Sequence, residues 1–112
     1  MGGIEGKTNG QPETRYRLVL EPTAASDLTS VYEWYEDCRE GLGEEFNDYF
    51  NQCINWLLKH PLVPHIIYHS ARRKKLARFP YYVFYRVSGE NLNVLTVIHT
   101  SRSPKIWKQR IK

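Results

Sequence analysis

The chain has 112 residues, of which 41% are hydrophobic and 13% aromatic, enough for one small domain around a single core. No apolar run approaches the roughly 20 residues of a transmembrane helix, and residues 1–14 lack the apolar segment of a signal peptide, so we expect a cytoplasmic protein without membrane contact. The formal net charge of +4 is too small to assign a partner class by itself.

The charge is divided unevenly along the chain. Residues 1–65 contain 11 acidic and 5 basic side chains, a net of −6, whereas residues 66–112 contain 1 acidic and 11 basic side chains, a net of +10. This asymmetry predicts an anionic partner for the C-terminal half, although such cations can also merely solvate the edges of a sheet. We expect them to converge on one concave surface.

Residues 1–14 are rich in glycine and polar side chains and show no periodicity, which predicts a disordered leader before a single domain over residues 15–112. Within this domain, residues 15–21 alternate between apolar and polar side chains and predict a first strand.

Two helices follow this strand. Apolar side chains at helical spacing predict a helix that starts at Pro22 and ends near Cys38, and a second helix from Glu44 to Lys59. Residues 41–43, Gly-Leu-Gly, form the short connection between them. A connection of this length predicts an antiparallel helical hairpin, whose apolar side needs a sheet to cover it.

The C-terminal half reads as strands. Residues 66–68 form either a short strand or part of a loop, and residues 75–79 alternate as a strand. Residues 79–87 and 92–99 are rich in β-branched and aromatic side chains and flank a turn at residues 88–91, which predicts a β-hairpin. The last strand is apolar on both faces and is therefore expected in the centre of the sheet, beside the first strand.

The resulting prediction is an α+β fold of order β-α-α-β-β-β, in which a helical hairpin packs on a mostly antiparallel sheet as two layers. After His99 we expect an irregular turn and then a short basic tail that contains Ile106 and Trp107.

The sequence gives no support to a metal or another cofactor. The four histidines match no zinc-binding spacing, and no CxxC, Walker or GxGxxG motif is present. Cys38 and Cys53 lie on the apolar sides of the predicted helices, so we expect two buried free thiols.

A ribonuclease site is one interpretation of the basic half. Cleavage of RNA by its 2′-hydroxyl needs proton transfer and cations on the phosphate, for which His99 is a candidate proton carrier and Arg78 and Arg102 are candidate phosphate ligands. His99 can equally bond only to the backbone, and Trp107 can cover the core instead of stacking on a base. The residues assigned to binding an anion, a nucleic acid or a target protein are Arg72, Arg73, Lys74, Lys75, Arg86, Lys105, Trp107 and Lys108.

Four segments together resemble the RelE/ParE superfamily, the toxins of bacterial type II toxin–antitoxin modules. The resemblance extends from Tyr16 to Trp107 and agrees with the predicted fold. It rests on the segments at residues 22–28 (PTAASDL), 41–46 (GLGEEF), 76–87 (LARFPYYVFYRV) and 97–107 (VIHTSRSPKIW).

The resemblance implies a growth-inhibiting toxin whose partner is an acidic, partly disordered antitoxin that folds across the basic surface and the helical hairpin in a hetero-oligomer. ParE-like members stabilise plasmids and inhibit DNA gyrase, whereas RelE-like members are metal-independent endoribonucleases that cut mRNA on the ribosome. The ending His99-x-x-Arg102-x-Pro104-x-x-Trp107 is closer to the ParE side, because Trp107 stands where the ribonucleases have a catalytic tyrosine. Gyrase inhibition is therefore favoured, and a ribonuclease or a non-toxic RNA-binding domain are the alternatives.

Overall fold

A computed structural model describes residues 15–111, and the leader predicted for residues 1–14 lies outside this part of the chain. None of its helices is long and apolar enough to cross a membrane. The elements are β1 (Arg17–Leu20), α1 (Pro22–Cys38), α2 (Leu42–Lys59), β2 (Ile66–Tyr68), β3 (Ala71–Lys75), β4 (Tyr81–Ser88), β5 (Asn91–His99) and α3 (Pro104–Arg110).

The five strands form one sheet in the order β1-β5-β4-β3-β2. β1 runs parallel to β5, and every other neighbouring pair is antiparallel. The prediction of an α+β fold with a mostly antiparallel sheet is confirmed. The last strand lies inside the sheet and beside the first, as predicted, because β5 lies between β1 and β4 and has apolar side chains on both faces, although the middle strand of the five is β4.

The sheet is covered on both faces. Side chains of β4 alternate, so that Val83 and Tyr85 join the core beneath the helical hairpin while Phe84 joins a second core with Trp107 and Ile111. The predicted basic tail is therefore a short helix, α3, that packs on the face opposite the hairpin. Sequence periodicity missed it because α3 spans only seven residues.

The Glu36 carboxylate stabilises the connection between α1 and α2. Glu36 accepts hydrogen bonds from the amides of Gly41 and Gly43, each at 3.0 Å, so this acid of α1 satisfies two free amides at the start of α2. Gly41 has a φ of 88°, which glycine adopts without steric cost. α2 begins at Leu42, two residues before the predicted start at Glu44.

The strand predicted over residues 75–79 is wrong. β3 ends at Lys75, and the chain then turns, with Arg78 at a φ of 69° and a hydrogen bond of 2.9 Å from the Leu76 amide to the Tyr81 carbonyl. Leu76 and Phe79 both point into the core beneath the hairpin, which a continuous strand cannot do at a spacing of three residues. The strand is instead formed by Ala71 and the four basic residues that follow it, 72–75, and β4 begins only after Pro80.

Substitution of Gly43 by alanine tests the close approach of the two helices. Alanine normally favours a helix over glycine by about 1 kcal/mol. Here the added Cβ would lie 2.8 Å from the Tyr32 carbonyl oxygen, so we expect Gly43→Ala to lower the free energy of unfolding by about 1–3 kcal/mol. Urea denaturation measures this, with the exposed Ser26→Ala on α1 as a control expected to change stability little. A more stable Gly43→Ala variant would contradict the packing described.

Candidate functional site

The uneven charge of the sequence becomes a separation of charge between the layers of the fold. Residues 22–59, the helical hairpin, contain eight acidic and two basic side chains, a net of −6. Residues 66–111, which supply β2 to β5 and α3, contain one acidic side chain and ten basic ones, a net of +9. An anionic partner is therefore attracted to the sheet and α3 rather than to the outer side of the hairpin.

The four cations of β3 do not share one surface. Arg72 and Lys74 lie beside the β4 side chains of the hairpin core, whereas Arg73 and Lys75 lie beside those on the α3 side. The expected convergence of all cations on one concave surface is wrong, because neighbouring side chains of a strand point to opposite faces.

Two predicted binding arginines stabilise the chain around β2. Arg72 donates to the Pro64 carbonyl over 2.6 Å. Arg86 donates to the Ser70 hydroxyl over 2.9 Å and to the His69 carbonyl over 2.8 Å. His69 and Ser70 have φ angles of 46° and 61°, so Arg86 holds a turn whose backbone conformation is unusual for residues other than glycine.

A groove of about 380 Å³ separates α2 from the outer edge of β3. On the α2 side of this groove, the Lys74 ammonium lies 4.7 Å from the centre of the Trp56 ring. Arg78 lies 5.5 Å from the centre of the Tyr49 ring and belongs to this side of the molecule. β2 pairs only with the first two residues of β3, so the outer edge of β3 has no partner strand along the groove within residues 15–111.

Trp107 lies inside the second core. Its indole is 8% exposed, packs 5.2 Å from Phe84 and 5.9 Å from Tyr68 (ring centres), and is flanked by Arg73 and Lys108. An indole covered in this way has no free face for a nucleic-acid base. Trp107 thus positions α3 on the sheet, the role that the sequence offered as the alternative to base stacking.

A second cleft, of about 270 Å³, lies between α1, the end of β5 and α3. It brings together two of the three predicted catalytic residues, His99 and Arg102, while Arg78 does not line it. The cleft is lined by Asp27, Ser30, Val31, Tyr81, Val97, Ile98, His99, Arg102, Ile106 and Arg110.

The hydrogen bonds of His99 leave it poorly suited to proton transfer. The Ser101 amide donates to Nδ1 over 3.0 Å, and the Ser101 hydroxyl lies 2.8 Å from the same nitrogen. Because an amide can only donate, Nδ1 is an acceptor and the neutral ring has its proton on Nε2. Nε2 is then not a base, and protonation of Nδ1 would break the bond from the amide.

The phenols beside the cleft are held in the protonated form. Tyr81 lies 5.1 Å from His99 (ring centres), and burial raises the pKa of Tyr81 above its ordinary value. Tyr35 is hydrogen-bonded to Tyr81, and burial raises the pKa of Tyr35 to about 12. Neither phenol is therefore a base near neutral pH, so the cleft has cations for an anion but no assembled acid–base pair.

The sequence missed the residue that organises this cleft. Asp27 of α1 accepts hydrogen bonds on Oδ2 from the Thr96 hydroxyl (2.6 Å) and the Val97 amide (2.9 Å). Its Oδ1 also pairs with Arg110 of α3 at 3.0 Å. The sequence carried no signal for this role, because the first strand predicted over residues 15–21 is nearly as long as the last strand predicted over residues 92–99, whereas β1 spans only four residues and β5 nine.

The thiols differ from the prediction in one case. Cys53 is buried as predicted, and burial raises its pKa to about 11, whereas Cys38 at the end of α1 is exposed. Both are free. Between residues 15 and 111, no three histidine, cysteine, aspartate or glutamate side chains form a group that could hold a metal ion.

Comparison with known proteins agrees with this geometry. The family described as the ParE toxin of the type II toxin–antitoxin system parDE matches residues 18–104. A chain in the solved structure of a chromosomal ParDE toxin–antitoxin system from P. aeruginosa is similar in fold. The alignment has a TM-score of 0.69 and 18% sequence identity, and it covers 78% of this chain and 98% of that one. The search of curated proteins found no match.

Replacement of Asp27 tests its role at the edge of β5. Asp27→Asn keeps the shape but turns a double acceptor into a group with one acceptor and one donor, and it leaves Arg110 without its carboxylate. We expect the free energy of unfolding to fall by about 2 kcal/mol. The exposed acid Asp37 lies on the same helix, and Asp37→Asn is the matched control in urea denaturation. Equal stability of the two variants would refute a structural role for Asp27.

Proposed function

Since this chain belongs to the ParE toxin family of type II toxin–antitoxin systems, we propose that it arrests growth by inhibiting DNA gyrase. The observation that carries the proposal is the family match over residues 18–104. Gyrase inhibition is a binding activity and needs no chemical step from the toxin itself, which suits a surface with charged clefts and no assembled acid–base pair.

The geometry around His99 supports this proposal over a ribonuclease. A ribonuclease needs a proton acceptor and a proton donor on either side of the phosphate. His99 is engaged through Nδ1, Arg78 lies beside Tyr49 outside the lining of the cleft, and the Trp107 indole is buried.

A supercoiling assay tests the proposal. We expect the purified full-length chain at micromolar concentration to block the ATP-dependent supercoiling of relaxed plasmid by gyrase, because it binds the enzyme. In parallel, we expect mRNA in a translating extract to stay intact. Unimpaired supercoiling together with toxin-dependent mRNA cleavage, lost in His99→Ala, would establish the ribonuclease alternative instead.

A cognate antitoxin is the partner of a toxin in this family. We propose that it binds the hairpin side of the sheet, where Leu62, Val63 and Ile66 are 58%, 63% and 55% exposed. This apolar group adjoins Arg72, which pairs with Ile66 across the strands and donates to the Leu62 carbonyl. Such a surface suits an acidic antitoxin segment. The apolar side chains of the segment would pack on the exposed apolar side chains, and its carboxylates would lie near the cations.

Loss of one apolar contact tests this site. Ile66→Ser removes an exposed side chain whose burial by a partner contributes about 1.5–3 kcal/mol, so we expect the antitoxin to bind at least about tenfold more weakly. Leu18→Ser is the matched control, because Leu18 is 40% exposed on β1 at the opposite edge of the sheet. Titration calorimetry with the antitoxin measures both variants. Equal losses of affinity, or a loss only in Leu18→Ser, would place the antitoxin elsewhere.

A further inference from the structure

The sheet face that carries α3 displays cations and almost no acids. Arg73 reaches this face from β3, and Lys105 and Lys108 reach it from α3; we call these three residues the cationic face. Among residues 66–111 the only acid is Glu90, in the turn between β4 and β5, and the acids that approach α3 from elsewhere, Glu21 and Asp27, lie at its Arg110 end. The cationic face therefore has few carboxylates to neutralise it and attracts an anion over a broad area.

Two of these cations are held in place by aromatic rings. The Arg73 guanidinium lies 4.1 Å from the centre of the Tyr82 ring and 5.8 Å from the centre of the Trp107 ring. The Lys108 ammonium lies 5.7 Å from the same Trp107 ring and 5.5 Å from Tyr68. Cation–π contacts of this kind limit the freedom of the side chains, so less conformational entropy is lost when an anion binds.

The cationic face offers no anchor for a protein partner. Protein interfaces depend on a few apolar or aromatic side chains that enter pockets of the partner. The large exposed apolar side chains of the described chain all lie on α1, on the loop after α2, or on the hairpin side of β1 and β2. They are Leu18, Leu20, Trp34, Leu62, Val63 and Ile66. A surface that is cationic, polar and without apolar anchors is typical of a contact with nucleic-acid phosphates.

The exposure of the aromatic rings on the cationic face indicates which form of nucleic acid this face suits. Proteins that bind single strands, and most that read RNA, stack bases on exposed aromatic faces. On the cationic face the Trp107 ring is 8% exposed, and the half-buried rings of Tyr82 and Tyr68 lie beneath Arg73 and Lys108. Rings that are buried or lie beneath a cation are poor platforms for stacking, which fits a duplex, whose phosphates are outside and whose bases are paired within.

We propose that the cationic face binds the sugar–phosphate backbone of duplex DNA, independently of sequence. This activity goes beyond gyrase inhibition, because the chain would touch DNA itself as well as a protein target. Under the function proposed above, the same contact would favour gyrase that is already engaged on DNA over the free enzyme.

Fluorescence anisotropy with a labelled 20-base-pair duplex tests the proposal on the purified full-length chain. Lys105→Gln/Lys108→Gln removes two exposed cations from the cationic face. The control Arg39→Gln/Lys59→Gln removes the only two cations of the hairpin, so both variants lose the same net charge. We expect the first variant to bind about tenfold more weakly or worse, with a salt slope lower by about 2, and the control to bind like the wild type.

Two further arms make the test decisive, and thermal melting checks that both variants stay folded. We expect a single strand of the same length to compete less well than the duplex. Equal loss of affinity in both double variants, or equal competition by single strand and duplex, would overturn the proposal. So would weaker antitoxin binding by Lys105→Gln/Lys108→Gln with unchanged duplex binding, since it would make the face a protein contact. The binding assay contains no gyrase, so a lack of duplex binding would not contradict gyrase inhibition. Likewise, a lack of gyrase inhibition would not contradict duplex binding.

Discussion

The closure of the free edge of β5 by Asp27 is the constraint on which the rest of the structure depends. β1 ends at Leu20, opposite Val94, so that within residues 15–111 the second half of β5 has no neighbouring strand on that side. A buried amide without a partner costs about 1–3 kcal/mol, and Asp27 supplies the acceptor from a helix rather than from a strand. The same carboxylate binds Arg110, so one residue joins α1, the sheet and α3.

This arrangement explains why a small sheet can be covered on both faces. In β4, Val83 and Tyr85 face the hairpin and Phe84 between them faces α3, so successive buried residues of this strand contribute to the two cores in turn. The seven-residue α3 is too short to be stable alone, and the burial of Trp107 and Ile111, together with the bond to Asp27, holds it on the sheet.

The two covered faces leave two outer surfaces of different chemistry. Beside the hairpin, exposed apolar side chains around Ile66 adjoin cations, a combination that suits a folded or folding protein segment. On the α3 side, Arg73 and Lys108 lie over the half-buried rings of Tyr82 and Tyr68, and none of the large exposed apolar side chains of residues 15–111 lies there, a combination that suits phosphates. A toxin must be held by its antitoxin and must also act on its target, and separate surfaces would allow each contact to be adjusted without loss of the other.

The sequence by itself determined the α+β class, the helical hairpin, the interior position of β5 beside β1 and the superfamily, because these depend on periodicity and on segments read along the chain. It missed β3 because Arg72 to Lys75 look like a solvated charge run, and they form a strand only through pairing with β4. It did not reveal the role of Asp27, and it left the role of Trp107 open, for a related reason. Only the tertiary structure decides which backbone amides need an acceptor and which aromatic ring is covered, since the contacts of Asp27 with Val97 and of Trp107 with Phe84 join residues far apart in the chain.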